Sequence, residues 1–344
     1  MIKNNINKVL IIGLFLNLQD GALPTQAEEL SLLLIRSNYI SIKVSKFKNK
    51  FLRVLETVYK IFYYSRNYST AIVQFYGGLS LILEGLSTII LKLLGKKVII
   101  TIHGGYVPEQ ITKNPKIYLY ILKKADIITC PSSYMSERLK EFGLKTIQVE
   151  NIIFTDSYVY TTKSEFRPKI FWMRAFHPIY NPLMMVEVIR ILKLEYPEIE
   201  CIMGGTKNKY MNTVLDKIKE YGLENNIKLP GFVNIDDKNK YANQCDIYAC
   251  TNIIDNAPVT FLEMMALGLP IVSANVGGVS YLVKDNETAL LVPTNDANMM
   301  AIKIKELISN PSLGVNLRNN GIELLKKFSE KEILIKWLNI LNKN

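Results

Sequence analysis

Short apolar runs rich in β-branched residues recur along this chain, with stretches of helical spacing between them. Residues 9–15, 70–74, 97–102, 127–130 and 146–149 form one series. A second begins at 169–173 and continues through 200–203, 227–229, 247–249, 271–273 and 289–292. Unbroken apolar runs of this length are strands covered on both faces, and a helix between successive strands is the crossover a parallel sheet requires. The fold class is therefore α/β. A chain of 344 residues exceeds what one core usually holds. Each series is expected to build its own doubly wound sheet, the two facing across a cleft, with ligands bound outside the carboxyl ends of the strands.

The polar stretch 155–168, ending at Pro168, separates the two series. The expected division is a first domain over 1–160, a second over 167–320, and a pair of short helices over 321–344, containing Trp337 and packing back toward the first domain. The first 29 residues admit two readings. Early lysines, the apolar core 9–16 and small residues further on resemble a secretory signal. The favoured reading is a buried strand over 8–15, a loop with Asp20-Gly21, then a helix from about 25 to 35, because a doubly wound sheet needs that first strand. Residues 75–94 come nearest to a membrane span. Glu84, Lys92 and three glycines interrupt them, so a buried helix is expected.

Charge is uneven. The chain carries +11 at pH 7, and residues 1–165 hold 21 Lys and Arg against 12 Asp and Glu. A basic first half points to an anionic partner. The stretch 43–66 interleaves Lys43, Lys46, Lys48, Lys50, Arg53, Lys60 and Arg66 with aromatic and aliphatic residues, opposed only by Glu56. A basic helix with such a face lies readily in an anionic membrane interface. A core-facing helix with a solvated basic face is the competing reading. The four cysteines form no CxxC pair and the two histidines lie far apart, which argues against structural zinc and a disulfide framework. A reducing cytoplasm fits.

Residues 255–270 read DNAPVTFLEMMALGLP, a mostly apolar helix carrying Glu263 in its middle, eight residues after Asp255. Pro258 suits the first turn, with Asn256 or Ala257 as cap, and Gly268 and Pro270 end the helix. The amides of Val259 and Thr260 then offer an anion site suited to a diphosphate. Two carboxylates astride it fit a sugar–diphosphate–ribose ligand. From spacing alone, a capping aspartate plus a glutamate paired with a lysine is an equal reading.

The segment DNAPVTFLEMMALGLPIVSANVGGVSYLV resembles the donor-binding signature of GT-B fold retaining glycosyltransferases of family 4. The acid-x7-Glu spacing, the run through Pro270, Gly277 and Gly278, and ETALLVPTND at 287–296 continue the likeness. IKLPGFV at 227–233 and CDIYACTN at 245–252 lie in the places it leads one to expect. The resemblance implies two Rossmann-like domains and transfer of a sugar, with retention, from a nucleotide-diphosphate sugar to a hydroxyl of a glycan or lipid-linked glycan. It implies no cofactor and no metal, consistent with the lack of an Asp-x-Asp motif. Glu263 would bind the ribose, Asp255 the sugar hydroxyls, Val259 and Thr260 the diphosphate, and Arg174 its phosphates. Gly205, within 204–209, and residues 231–234 are expected near the base, and Gly21 near a phosphate. His103, at the end of the strand in VIITIHGGYVP, would stand beside the acceptor and, with Asp255, form the catalytic pair. The family's usual phosphate-binding lysine is replaced, its two possible positions holding Ile179 and Tyr180. Charge and resemblance together point to bacterial surface polysaccharide assembly in the cytoplasm, peripheral on the inner face of the membrane, with no nucleic-acid partner. A periplasmic solute-binding protein and a nucleotide-sugar 2-epimerase of the same architecture are the alternatives.

Overall fold

The computed structural model of the chain describes residues 8–15, 24–44, 47, 49–206 and 208–343. It contains two compact units, Met1–Phe154 with Phe328–Asn344, and Thr155–Lys327.

The first unit runs β1 (Lys8–Ile12), α1 (Gln26–Arg36), β2 (Ile40–Val44), α2 (Lys50–Tyr63), β3 (Thr70–Phe75), α3 (Leu81–Leu93), β4 (Lys97–Ile102), α4 (Val107–Lys113), α5 (Pro115–Leu122), β5 (Ile127–Cys130), α6 (Ser133–Lys140) and β6 (Ile147–Gln148). Its strands pair in parallel in the order β2-β1-β3-β4-β5-β6. β1 lies between β2 and β3, as the strand reading of the N-terminal segment requires. Strand alternation divides its side chains between two cores. Leu10 and Ile12 join Ile61 of α2, Leu91 of α3 and Tyr118 of α5. Val9 and Ile11 join Leu30, Leu33 and Leu34 of α1. Thr25 caps α1, accepting from the Glu28 amide, while Glu28 Oε2 accepts from the Thr25 amide at 2.8 Å.

The stretch 43–66 is not one helix. Its start belongs to β2, an edge strand where Ser41 and Lys43 alternate with apolar neighbours, and the helix begins only at Lys50, capped by Asn49. Nor is 75–94 one buried helix. β3 ends at Phe75, and α3 turns Glu84, Ser87 and Thr88 inward while Ile82 and Leu93 face out. Glu84 goes inward because it accepts two backbone amides, from Tyr76 and Gly77.

The second unit runs β7 (Lys169–Met173), α7 (Pro182–Lys193), β8 (Glu200–Gly204), α8 (Tyr210–Glu220), β9 (Ile227–Gly231), α9 (Ile235–Gln244), β10 (Ile247–Cys250), α10 (Val259–Leu267), β11 (Ile271–Ala274), α11 (Val279–Leu282), β12 (Leu290–Val292), α12 (Ala297–Ser309) and α13 (Pro311–Leu325). Its parallel order is β12-β11-β10-β7-β8-β9. The chain builds outward from β7 to β9 and then returns to β10 on the other side of β7. That reversal makes the carboxyl ends of β7 and β10 the place where flanking loops diverge and a ligand can enter. In the first unit the reversal falls between β1 and β3.

Residues 321–344 do not form their own helix pair. Gly321 lies inside α13, where a Cβ would stand 3.1 Å from Met265 of α10. Only α14 (Glu330–Asn342) follows, and it belongs to the first unit, its Ile333, Trp337 and Ile340 closing the core over α1. Lys97 Nζ donates to the Ile340 carbonyl at 2.9 Å at the end of that helix.

Candidate active site

At the reversal point of the second unit, Arg174 directly follows β7 and its amide donates to the Gly204 carbonyl at 3.0 Å. A Cβ on Gly205 would sit 2.0 Å from the Arg174 carbonyl oxygen, so a glycine there lets two loops touch. Trp172, wholly buried on β7, donates its indole N–H to Thr251 Oγ1, which donates to the Tyr180 carbonyl. The Ile253 amide donates to the Ile179 carbonyl. These bonds fasten the loop after β10 to the turn at 178–180 and fix Asp255 opposite Arg174.

Arg174 Nη2 lies 2.8 Å from Asp255 Oδ2, with both side chains largely buried. The same oxygen accepts from Asn252 Nδ2 at 2.7 Å, and Oδ1 accepts from the Asn256 amide. Burial alone would lower the arginine pKa, but the Asp255 carboxylate, with Tyr248, Cys250 and Tyr180 adding to it, outweighs that and holds the guanidinium firmly charged. The Tyr180 ring lies 5.6 Å from the guanidinium carbon. One of the two positions at which the resemblance calls for a lysine thus holds an aromatic partner for the arginine. Arg174 Nε is buried without an acceptor.

α10 is apolar nearly all round and buried from Thr260 to Leu267, as such a helix must be. Its N-cap is Pro258, and no side chain caps it; neither Asn256 nor Ala257 does so. A proline cannot supply a capping oxygen, so the first amides of the helix, Val259 and Thr260 among them, have no side-chain acceptor. Gly277 has φ +51, and a Cβ there would lie 2.1 Å from the Asp255 carbonyl oxygen. The Gly278 amide donates to that same oxygen at 3.0 Å, so the Gly-Gly loop seats the aspartate.

Glu263 is an ion-pair partner, as one of the two readings of its spacing expects. Its Oε1 lies 2.6 Å from Lys238 Nζ of α9 and accepts from the Tyr158 hydroxyl at 3.0 Å. Its Oε2 is buried and has no partner. Tyr248 of β10, wholly buried, is raised by burial and feels both the Arg174 charge, which lowers its pKa, and the Glu263 charge, which raises it. Asp255 does not cap α10; its oxygens serve Arg174, Asn252 and Asn256.

In the first unit, His103 follows β4 and pairs through Nε2 with Gln74 of β3. Its ring stacks on Tyr76 at 5.5 Å. Burial pushes its pKa down to about 4, against the opposing effect of a hydrogen bond with Asn151. The carboxyl of Glu84, which holds the Tyr76 and Gly77 amides, is pushed up to about 7 by burial. Gly13, closing β1, packs where a Cβ would be 2.6 Å from Ala27 and 2.9 Å from Gln74.

Arg174, Gly205, Asp255, Val259, Thr260 and Glu263 thus share the second unit, and His103 lies in the first. Gly21 lies outside the described residues. Sequence reasoning missed Lys238, Tyr158, Gln74 and Glu84. A lysine at a core-facing helical position, three residues after Ile235 and four before Ala242, is the signal that could have pointed to Lys238.

Two parallel, doubly wound six-stranded units are the GT-B architecture. Sucrose-phosphate synthase from Thermosynechococcus elongatus superposes with a TM-score of 0.80 at 15% identity, over 97% of this chain and 98% of that one. HepE of Anabaena, solved in complex with UDP-glucose, superposes with a TM-score of 0.79 at 17% identity, over 97% and 99%. Residues 161–324 match the family described as glycosyl transferases group 1. An uncharacterized glycosyltransferase of Methanocaldococcus jannaschii is 25% identical over 67% of this chain and 64% of its own length. The poly(ribitol-phosphate) alpha-N-acetylglucosaminyltransferase of Staphylococcus aureus is 28% identical over 40% of this chain and 27% of its own. The amylovoran biosynthesis glycosyltransferase AmsK of Erwinia amylovora is 23% identical over 61% of this chain and 55% of its own. The chain thus spans less than two thirds of each of these curated relatives.

Proposed function

We propose that the protein moves a sugar from a nucleoside-diphosphate sugar to a hydroxyl of a glycan or lipid-linked glycan, with retention at the anomeric carbon and without a metal, in assembly of a bacterial surface polysaccharide. The observation that carries this reading is the Arg174–Asp255 pair beside the uncapped start of α10. The bond from the anomeric carbon to the diphosphate oxygen breaks, and its electron pair leaves on the diphosphate. The acceptor oxygen bonds to that carbon, and its proton passes to the departing phosphate. Arg174 and the first amides of α10 stabilise the charge that develops, as preorganised donors do. Asp255 holds sugar hydroxyls and Glu263 the ribose. His103, neutral at pH 7, acts as a hydrogen-bonding partner of the acceptor rather than as a proton store. Relatives named for amylovoran synthesis and for a poly(ribitol-phosphate) transferase support the polysaccharide setting.

The same reading seats the enzyme on an anionic membrane at the cytoplasmic face, through 43–66. Its support is an inverted helix surface. Phe51, Leu55, Tyr59 and Phe62 recur at helical spacing on α2 and all face out, Phe51 being 70% exposed. Leu79 and Ile82 at the start of α3, which packs on α2, do the same. Lys50 and Arg53 flank the stripe, and Glu56 is held by Lys60 at 2.6 Å. Such a stripe is buried by insertion below lipid headgroups. Among the described residues no helix is long and apolar enough to cross a membrane.

A thermal-shift panel of UDP, GDP and their sugars tests donor binding. One nucleoside diphosphate should stabilise the chain, and Glu263→Ala should remove the shift. An unchanged shift in that variant rejects the donor site as described.

A further inference from the structure

Lys238 is 1% exposed. It takes the inward position of α9 that an aliphatic residue would fill at less cost, since an ammonium ion loses its hydration there. Its Nζ lies 2.6 Å from Glu263 Oε1, and among the described residues it has no other hydrogen-bond partner. An ammonium has three N–H donors, so two are left over. The Tyr158 hydroxyl donates to the same Glu263 oxygen. Both protein donors therefore crowd Oε1, and Oε2 stands buried with nothing to accept.

A free acceptor and a free donor thus stand side by side on one buried ion pair. Nature rarely leaves either unmatched, because each costs about 1–3 kcal/mol unless something completes it. A vicinal diol completes both. One hydroxyl donates to Oε2, and the oxygen of its neighbour accepts from the ammonium. We propose that Lys238 and Glu263 form a two-point clamp for the cis-diol of the nucleotide ribose, with Lys238 as the residue that makes the donor site selective for ribonucleotides. This rests on the reading of Glu263 as the ribose carboxylate given above. It adds a second ligand-contacting group and explains why the lysine is tolerated in a core position. Tyr158 positions the carboxylate by fixing which of its oxygens is occupied.

The test is calorimetric titration of the full chain with UDP, 2′-deoxy-UDP and 3′-deoxy-UDP, using the guanine series if GDP gives the larger thermal shift. The unaltered protein should prefer the ribonucleotide by about tenfold or more over at least one deoxy form, because a site built around a hydroxyl rejects the analogue lacking it. Lys238→Met should lower that preference by about tenfold. Should Lys238→Met fail to fold, Lys238→Leu, which likewise lacks any donor, gives the same reading. Equal weakening of all three ligands by the lysine variants would mean that Lys238 merely balances charge, and the clamp would be overturned while the donor site stood. Retained UDP binding in Glu263→Ala would instead remove the site itself.

Discussion

The Arg174 guanidinium and the Asp255 carboxylate meet at 2.8 Å at the point where the second sheet reverses its strand order. Each restrains the other. A charge pair with this little exposure stays favourable only while both partners are present. The arginine nevertheless keeps Nε free of any acceptor. It can add an anion without giving up the aspartate.

Replacing Arg174 by Ala should cost about 3–5 kcal/mol of stability in the second unit, because Asp255 is left buried and unpaired. It should also lower kcat by about 10²–10³-fold through loss of charge stabilisation. The double variant Arg174→Ala, Asp255→Ala should regain part of the stability in urea titrations and none of the transfer. Recovery of both together would refute the assignment.

Gly205→Ala places a methyl group 2.0 Å from the Arg174 carbonyl oxygen. One of the two loops must move, at about 1–3 kcal/mol. We expect a raised donor KM as well as a lower melting temperature. A melting temperature and KM equal to those of the parent would show that the close approach is unimportant.

Glu84 and His103 give the first unit opposing pH dependences. Burial raises Glu84 from 4.5 to about 7. Its contribution is fully present below about 4.5 and is lost as the pH rises through 7. Burial lowers His103 from 6.5 to about 4. Its contribution is full above 6.5 and is lost as the pH falls through 4. Between these values the two slopes oppose. In Glu84→Gln, urea unfolding should show stability rising from pH 4 to 6.5. In His103→Gln it should fall from pH 4.5 to 7, by on the order of 3 kcal/mol. Flat profiles in both variants would contradict the burial argument.

Serine at Phe51, Leu55 and Phe62 should reduce sedimentation with anionic vesicles by about tenfold and leave soluble-acceptor transfer unchanged. Glutamine at Lys50 and Arg53 should make the remaining binding less sensitive to salt, because fewer charges are then screened. Undiminished sedimentation of the serine variant would dismiss the outward stripe as a docking face.

Strands were the most legible feature. Ranges such as 97–102, 127–130 and 169–173 agree with β4, β5 and β7 at both ends, because runs buried on both faces leave a continuous apolar signature. β2 was missed because it is an edge strand whose Ser41 and Lys43 look like part of the basic stretch that follows. The inward turn of Glu84 and the outward turn of Ile82 were hidden for a related reason: helical periodicity marks the apolar stripe but not which side meets the core. In the candidate site, the spacing of Asp255 and Glu263 brought out both acids. It could not show that Asp255 would be taken up by Arg174, or that one oxygen of Glu263 would be filled by groups from distant sequence. Lys238 and Tyr158 come from α9 and from the start of the second unit, and only the folded chain brings them to Glu263.

α14 has a bearing on biogenesis. The first core is sealed by Ile333, Trp337 and Ile340, whereas the second unit is one continuous piece ending at Lys327. During translation the part of that core which α14 covers therefore stays open until residues 330–342 have emerged. The second unit, though later in the sequence, can close before the first does.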